Sequence, residues 1–146
     1  MACIPDLPKG KRRLSLHLMA RFDVITQVPI KRLIPELFDI VSEALPFFAL
    51  FLDSIGRWSD EIRIERFYFE LERNILGEEH PSTISAMNNL ASTLGDQGQL
   101  DEAAAMKKEV VEKRRRILGE EHPDTVRSVM KLNEIWKRKS DMAGPV

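Results

Sequence analysis

Between Pro81 and Leu94 the apolar residues Ile84, Met87, Leu90, Ala91 and Leu94 recur at three- and four-residue spacing, while Ser85, Asn88, Asn89 and Ser92 lie off that stripe. This is the period of an amphipathic helix. Pro81 brings a pre-set φ to a position whose N–H has no partner in a first turn anyway, and Ser82 and Thr83 follow, so the helix starts there. Gly95 to Gly98 (GDQG) stop it, because glycine tolerates the left-handed backbone that ends a helix. A second, longer stripe follows in Leu100, Ala103, Ala104, Val110, Val111, Ile117 and Leu118. Asp101 and Glu102 sit near its positive start, Arg114, Arg115 and Arg116 near its negative end, and Gly119 closes it. The short turn predicts antiparallel packing of the pair, with small Ala91 and Ala103 allowing close approach.

The pattern repeats. Ile75-Leu-Gly-Glu-Glu-His-Pro81 recurs unchanged as Ile117-Leu-Gly-Glu-Glu-His-Pro123, 42 residues later. The same offset aligns Gly56 with Gly98, Glu70 with Glu112, Arg73 with Arg115, Thr83 with Thr125 and Leu90 with Leu132. A fixed period of this size indicates a solenoid, in which each unit buries its apolar face only against its neighbours.

The string Thr83-x-x-x-Met87-Asn-Asn-Leu-Ala91-x-x-Leu94-x-x-Gln97-Gly98-x-Leu100-x-Glu102-Ala103, followed by Leu118-Gly-x-Glu-His-Pro123-x-Thr125, resembles the 42-residue tetratricopeptide repeat of kinesin light chains. The resemblance covers roughly residues 40 to 137 and implies an all-α fold, a right-handed α-α superhelix of about two to three helix pairs. Small or apolar residues of the signature stand at Leu90, Ala91, Leu94 and Ala103. Lys107 departs from it, taking a place usually given to an aromatic or large apolar side chain, so its stem has to snorkel or Met106 has to substitute. First helices line the concave side of such a superhelix, which makes Asn88, Asn89 and Ser92 groove candidates, with Lys131 and Glu134 from the next first helix. An asparagine amide offers both donor and acceptor to the backbone of an extended peptide, the role that the family's paired asparagines imply. The plainer alternative is that these are exposed polar residues.

Only the unit 81–122 is complete. Residues 56–80 read as the second helix of a degenerate repeat, running from Trp58 to Leu76 with Ile62, Ile64, Phe67, Tyr68, Phe69 and Leu71, apolar on two sides. Phe67 and Leu71 correspond to Glu109 and Lys113, so the segment before Pro46 is expected to cover them. Within 14–55, Pro46-Phe-Phe-Ala49 is the counterpart of the NNLA segment, and Leu14, Leu18, Phe22 and Ile25 fit a helical stripe, although Leu14, Leu16 and Leu18 fit a strand equally. Residues 123–139 read as a polar-faced capping helix, with Trp136, Lys137, Arg138 and Lys139. A flexible start (1–13) and a disordered tail (140–146) are expected on either side.

Composition narrows the chemistry. With 43% hydrophobic and 31% charged residues the chain is too apolar for a disordered tail and too charged for a membrane bundle. Net charge −1 gives no reason to expect nucleic acid. The longest apolar run, Ala44 to Leu52, has nine residues, against about 20 for a membrane span. One cysteine, Cys3, and no signal-peptide pattern in residues 1–13 point to a cytoplasmic protein. The triplets Glu78-Glu79-His80 and Glu120-Glu121-His122 invite a metal or acid/base reading. They stand in equivalent inter-repeat turns before a helix-starting Pro, which favours turn and capping roles instead. Gly10-Lys11 lacks the rest of a phosphate loop, and no nucleophile has a recognisable base beside it. No enzyme activity, cofactor or metal is expected. Lys107, Lys108, Lys113 and Arg114 to Arg116 read first as a solvated helix face, and second as a basic edge for acidic peptides. The expectation is therefore a protein-interaction module that holds a peptide segment of a partner in its groove. The alternative is a structural end-piece of a longer array, or a chain that self-associates through exposed helix faces.

Overall fold

The computed structural model describes residues 35–144. Among them are five helices and no strand: α1 (Pro35–Ser54), α2 (Trp58–Leu76), α3 (Pro81–Asp96), α4 (Leu100–Leu118) and α5 (Pro123–Ala143). The expected flexible start and the stripe through Leu14, Leu18, Phe22 and Ile25 lie outside the described residues. The described residues fall into two compact units, divided between Asn74 and Ile75.

In the first unit Leu45, Ala49 and Leu52 of α1 form a core with Ile64 and Leu71 of α2, and Phe48, Ile55, Phe67 and Tyr68 pack at its edge. Leu71, one of the two residues expected to need extra cover, is thereby fully buried. Pro46 lies inside α1.

In the second unit α4 packs between α3 and α5. Ile84, Met87, Leu90, Ala91 and Leu94 are all buried, as their spacing requires, and so are Leu100, Ala103, Ala104, Val110 and Val111 across from them. Each fully buried leucine contributes on the order of 1.5–3 kcal/mol relative to exposure. The second stripe ends earlier than its sequence suggests, because Ile117 and Leu118 are exposed in the last turn of α4. The last helix differs as well. It runs to Ala143, past the predicted end at Lys139 and into the segment expected to be disordered. No glycine or proline interrupts it before Gly144, whose φ of 73° ends it.

Both inter-repeat turns are built alike. Gly77 and Gly119 each take φ 93°, a left-handed backbone that a side chain would strain. The next helix is then capped by histidine. His80 Nδ1 accepts the Ser82 N–H at 3.2 Å, and His122 Nδ1 accepts the Asp124 N–H at 3.2 Å. Both histidines keep the extended backbone of an N-cap, with Pro81 or Pro123 directly after. Sequence reasoning assigned a capping role to these triplets, and histidine is the residue in them that performs it.

A Lys113 anchor ties the first of these turns to α4. Its side chain is buried, and Nζ reaches Glu79 Oε1 at 3.2 Å, Glu109 Oε1 at 3.3 Å and the Glu78 carbonyl at 3.4 Å. Burial alone would lower the pKa of this ammonium, but the bonds to Glu79 and Glu109 more than offset it and hold the group above the ordinary lysine value. The equivalent position in the preceding repeat is Leu71, so the fold accepts either an apolar side chain or a well-paired cation there.

Replacing the cap tests the turn. His80→Ala is expected to lower unfolding free energy by roughly 0.5–2 kcal/mol, while His80→Asn retains most of it, read by urea denaturation monitored by circular dichroism.

Candidate functional site

The groove candidates fall on α3 and α5, which touch each other beside α4. Asn88 and Ser92 lie one turn apart on α3 and are half-buried, whereas Asn89 between them is exposed. Lys131 and Glu134 on α5 are exposed and bond to each other at 2.8 Å. The structure therefore brings Asn88 and Ser92 into one cluster, leaves Asn89 open to solvent, and turns Lys131 and Glu134 toward one another.

At the centre of the cluster stands Lys107. It does not snorkel to water, as the apolar character of its position had suggested, nor does Met106 replace it; only 1% of the residue is exposed. Its three N–H donors meet three acceptors: Asn88 Oδ1 at 2.6 Å, Ser92 Oγ at 2.8 Å and the Asn88 carbonyl at 2.9 Å. Ser92 in turn donates its hydroxyl to the Asn88 carbonyl at 3.0 Å. A buried ammonium is tolerated only when its donors are satisfied in this way.

Among the described residues no carboxylate lies within ion-pair distance of Lys107. Burial pushes its pKa down to about 8, the neighbouring charges of Arg114 and Lys131 push in the same direction, and Asp96 opposes them. The ammonium stays charged at neutral pH. Its bond to Oδ1 settles the orientation of the Asn88 amide, because the oxygen must face Lys107 and only the NH2 group is left to donate outward. Asn88 is therefore left with a donor only, whereas the exposed Asn89 amide keeps both donor and acceptor.

The basic run is divided, and its reading as a solvated face is corrected on that account. Lys107 and Lys113 are buried, while Lys108, Arg115 and Arg116 are exposed. Arg114 is half-buried and donates to the Asp124 carbonyl at 3.1 Å and to Ser128 Oγ at 2.7 Å, joining α4 to the start of α5. Arg116 bonds Glu79. Elsewhere among the described residues no three His, Cys, Asp or Glu side chains converge in a way that could hold a metal ion. No helix there is long and apolar enough to cross a membrane.

Comparison with known proteins bears on this arrangement. Residues 83–124, which include Asn88, Asn89, Ser92 and Lys107, match the family model of the tetratricopeptide repeat. This stretch is a tetratricopeptide repeat. The tetratricopeptide fold extends beyond it. BtubC (BKLC) from P. vanneervenii is similar in structure at 19% identity with a TM-score of 0.67, over 91% of this chain and 50% of that one. A putative kinesin light chain from Podosopora anserina, with nearly identical TPR-like repeats, is similar at 19% identity with a TM-score of 0.62, over 90% of this chain and 64% of that one. The resemblance to the kinesin light chain type of repeat is thus upheld as a likeness of fold, and the fold class is the all-α tetratricopeptide-like solenoid. The chain spans between half and two thirds of the length of these neighbours. No curated protein matches the sequence.

The lysine can be tested by pH. Because its pKa falls on folding, the unfolded chain binds more protons between about pH 8 and pH 10.5, so this group's contribution to stability rises with pH across that window. Lys107→Met removes the buried charge but leaves Asn88 Oδ1 and Ser92 Oγ without their donor, so stability at pH 7 is expected to fall by about 1–3 kcal/mol. The wild-type-minus-variant difference should become more favourable to wild type from pH 8 to 10.5, by on the order of 3 kcal/mol. Urea midpoints measured at half-unit pH steps give that curve.

Proposed function

We propose that the chain is a non-catalytic interaction module of cytoplasmic proteins that holds a peptide segment of a partner along the face shared by α3 and α5. Tetratricopeptide folds supply scaffolds for protein interaction in general, and the repeat matched at 83–124 carries the candidate residues. The observation that carries the reading is the polar surface at Asn88, Asn89 and Ser92, whose inner members are fixed from behind by Lys107. A helix face pre-organised in this way loses little entropy when a ligand docks. Asn89 supplies a free donor and acceptor, Asn88 a donor of set direction, and Lys131 and Glu134 a charged pair that can open to meet either sign.

A non-catalytic role is supported by how the two acid-acid-histidine triplets are used. Both histidines commit Nδ1 to helix caps, and Glu79 is engaged by Arg116 and Lys113, bonds that hold its carboxyl below the usual range. These side chains fasten turns and do not converge on a common point.

The structural role of Asn88 selects the mutation. Asn88→Ala strips Lys107 of an acceptor and is expected to destabilise the fold, so it cannot report on binding alone. Asn89→Ala touches no internal bond. In a pull-down from its own cell extract, the variant should retain the partner three- to tenfold more weakly, roughly one hydrogen bond's worth, with an unchanged circular dichroism spectrum. Undiminished capture by Asn89→Ala, and by Asn89→Ala combined with Lys131→Ala, would remove this face from the reading.

A further inference from the structure

α5 packs on α4 with Leu132 and Ile135 buried, but a second apolar side of it, the one that would meet the partner helix of its own repeat, meets no helix among the described residues. Its register with α3 makes this concrete. Ile84, Met87 and Leu94 of α3 are at most 6% exposed beneath α4. Their counterparts on α5 are Val126, 44% exposed, Val129, half-buried, and Trp136, 49% exposed, and Met130 beside them is 59% exposed. These four share one side of α5 at helical spacing. Exposed large apolar residues gathered in this way mark an interaction surface.

Two features say what does not fit there. The counterpart of buried Ala91 is Asn133, and the counterpart of Gly95 is Lys137. A Cβ at Gly95 would already lie 3.6 Å from Ala103 Cβ of α4. A helix approaching α5 as closely as α4 approaches α3 would therefore run into the Lys137 side chain. The joint inside the repeat cannot simply be copied at this face.

The charges say what does fit. The start of α5 and the turn before it carry Glu120, Glu121 and Asp124, and its far end carries Lys137, Arg138 and Lys139. Lys139 is held by Asp101 at 2.5 Å, Glu120 by Arg115 at 3.7 Å and Asp124 by Arg127 at 3.3 Å, and Arg138 reaches Asp96 only at 4.0 Å, whereas among the described residues neither Glu121 nor Lys137 has an ion-pair partner. A helix acidic at one end and basic at the other is complementary to itself when reversed. Antiparallel pairing centred between Val129 and Met130 sets Lys137 opposite His122 of a second copy, between that copy's Glu121 and Asp124, and sets Arg138 opposite its Glu121. The same centre lays each Trp136 over the opposing Pro123 turn and sets each Val126 against the opposing Asn133.

We propose that the chain forms a two-fold symmetric dimer through antiparallel α5 helices, with Val126, Met130 and Trp136 as the apolar contact and Lys137 paired to the second copy's acidic turn. A single helix pair buries less than a standard interface of about 1,600 Å², so the dimer is weak and concentration-dependent. This surface is separate from the α3 residues of the groove, and its occupancy does not depend on the peptide reading.

Sedimentation equilibrium of the full chain from dilute to concentrated solution tests it. The mean mass should climb toward twice the monomer value, with Trp136 fluorescence shifting to the blue in a Trp58→Phe background. Met130→Glu with Trp136→Glu should stay monomeric with an unchanged circular dichroism spectrum. Lys137→Glu and Glu121→Lys should each weaken self-association severalfold, and their equimolar mixture should restore it, because each copy then offers the other a complementary pair. A wild-type chain that remains monomeric throughout would overturn the proposal, leaving α5 to a different helix. So would a dimer indifferent to Met130→Glu and Trp136→Glu.

Discussion

A helix with an apolar stripe along one side has to lay that stripe against another helix, and the second unit of this chain is arranged around that constraint. α4 meets it twice, packing on α3 through Ala103 and its neighbours and on α5 through its other side. Once a stretch between helices must deliver the chain to the same relative position each time, its chemistry is restricted too. That is why the two turns share a left-handed glycine, a histidine cap and a proline at the first helical position. The seven-residue identity between the repeats is the signature of a joint, and reactive groups placed in it serve as fasteners.

The burial of Lys107 is where the general scheme becomes particular to this protein. A charged group at a position of the apolar stripe is tolerated because α3 offers three oxygens to it, two from Asn88 and one from Ser92. The lysine thus converts two flexible surface side chains into fixed ones, and places a positive charge directly beneath the face proposed to meet a partner. Lys113 is accommodated differently, by carboxylates from its own helix and from the preceding turn. The two lysines show two ways of keeping an ammonium inside a helical repeat, with neutral acceptors in one case and with counter-charges in the other. Their pKa values move in opposite directions accordingly.

Much of the fold was legible in the amino-acid pattern, since helix period, proline starts and glycine stops are local signals that tertiary structure did not override here. The boundaries of α2 at Trp58 and Leu76 and the buried stripe of α3 follow directly from them. What eluded the sequence depends on partners far along the chain. Lys107 and Lys113 sit among other basic residues, and nothing local separates a buried ammonium from a solvated one; acceptors 15 to 35 residues away decide it. The single clue was a lysine standing at an apolar position. Asn88 illustrates the converse, a residue that reads as an exposed ligand contact and is in part structural. The exposure of Ile117 and Leu118 was hidden because periodicity gives the side of a helix a residue occupies, and not how far along that side the neighbouring helix extends.

The claim that α3 and α5 together form the binding face is tested most directly by nuclear magnetic resonance. The isotopically labelled chain would be titrated with the partner segment recovered from its cell extract, and backbone and side-chain amide shifts followed residue by residue. The account predicts the largest changes at the Asn89 side-chain amide and at Ser92, Lys131 and Glu134, with the His80 and His122 turns unmoved. Shifts confined to those turns or to the outward side of α4, with Asn89 silent, would contradict it.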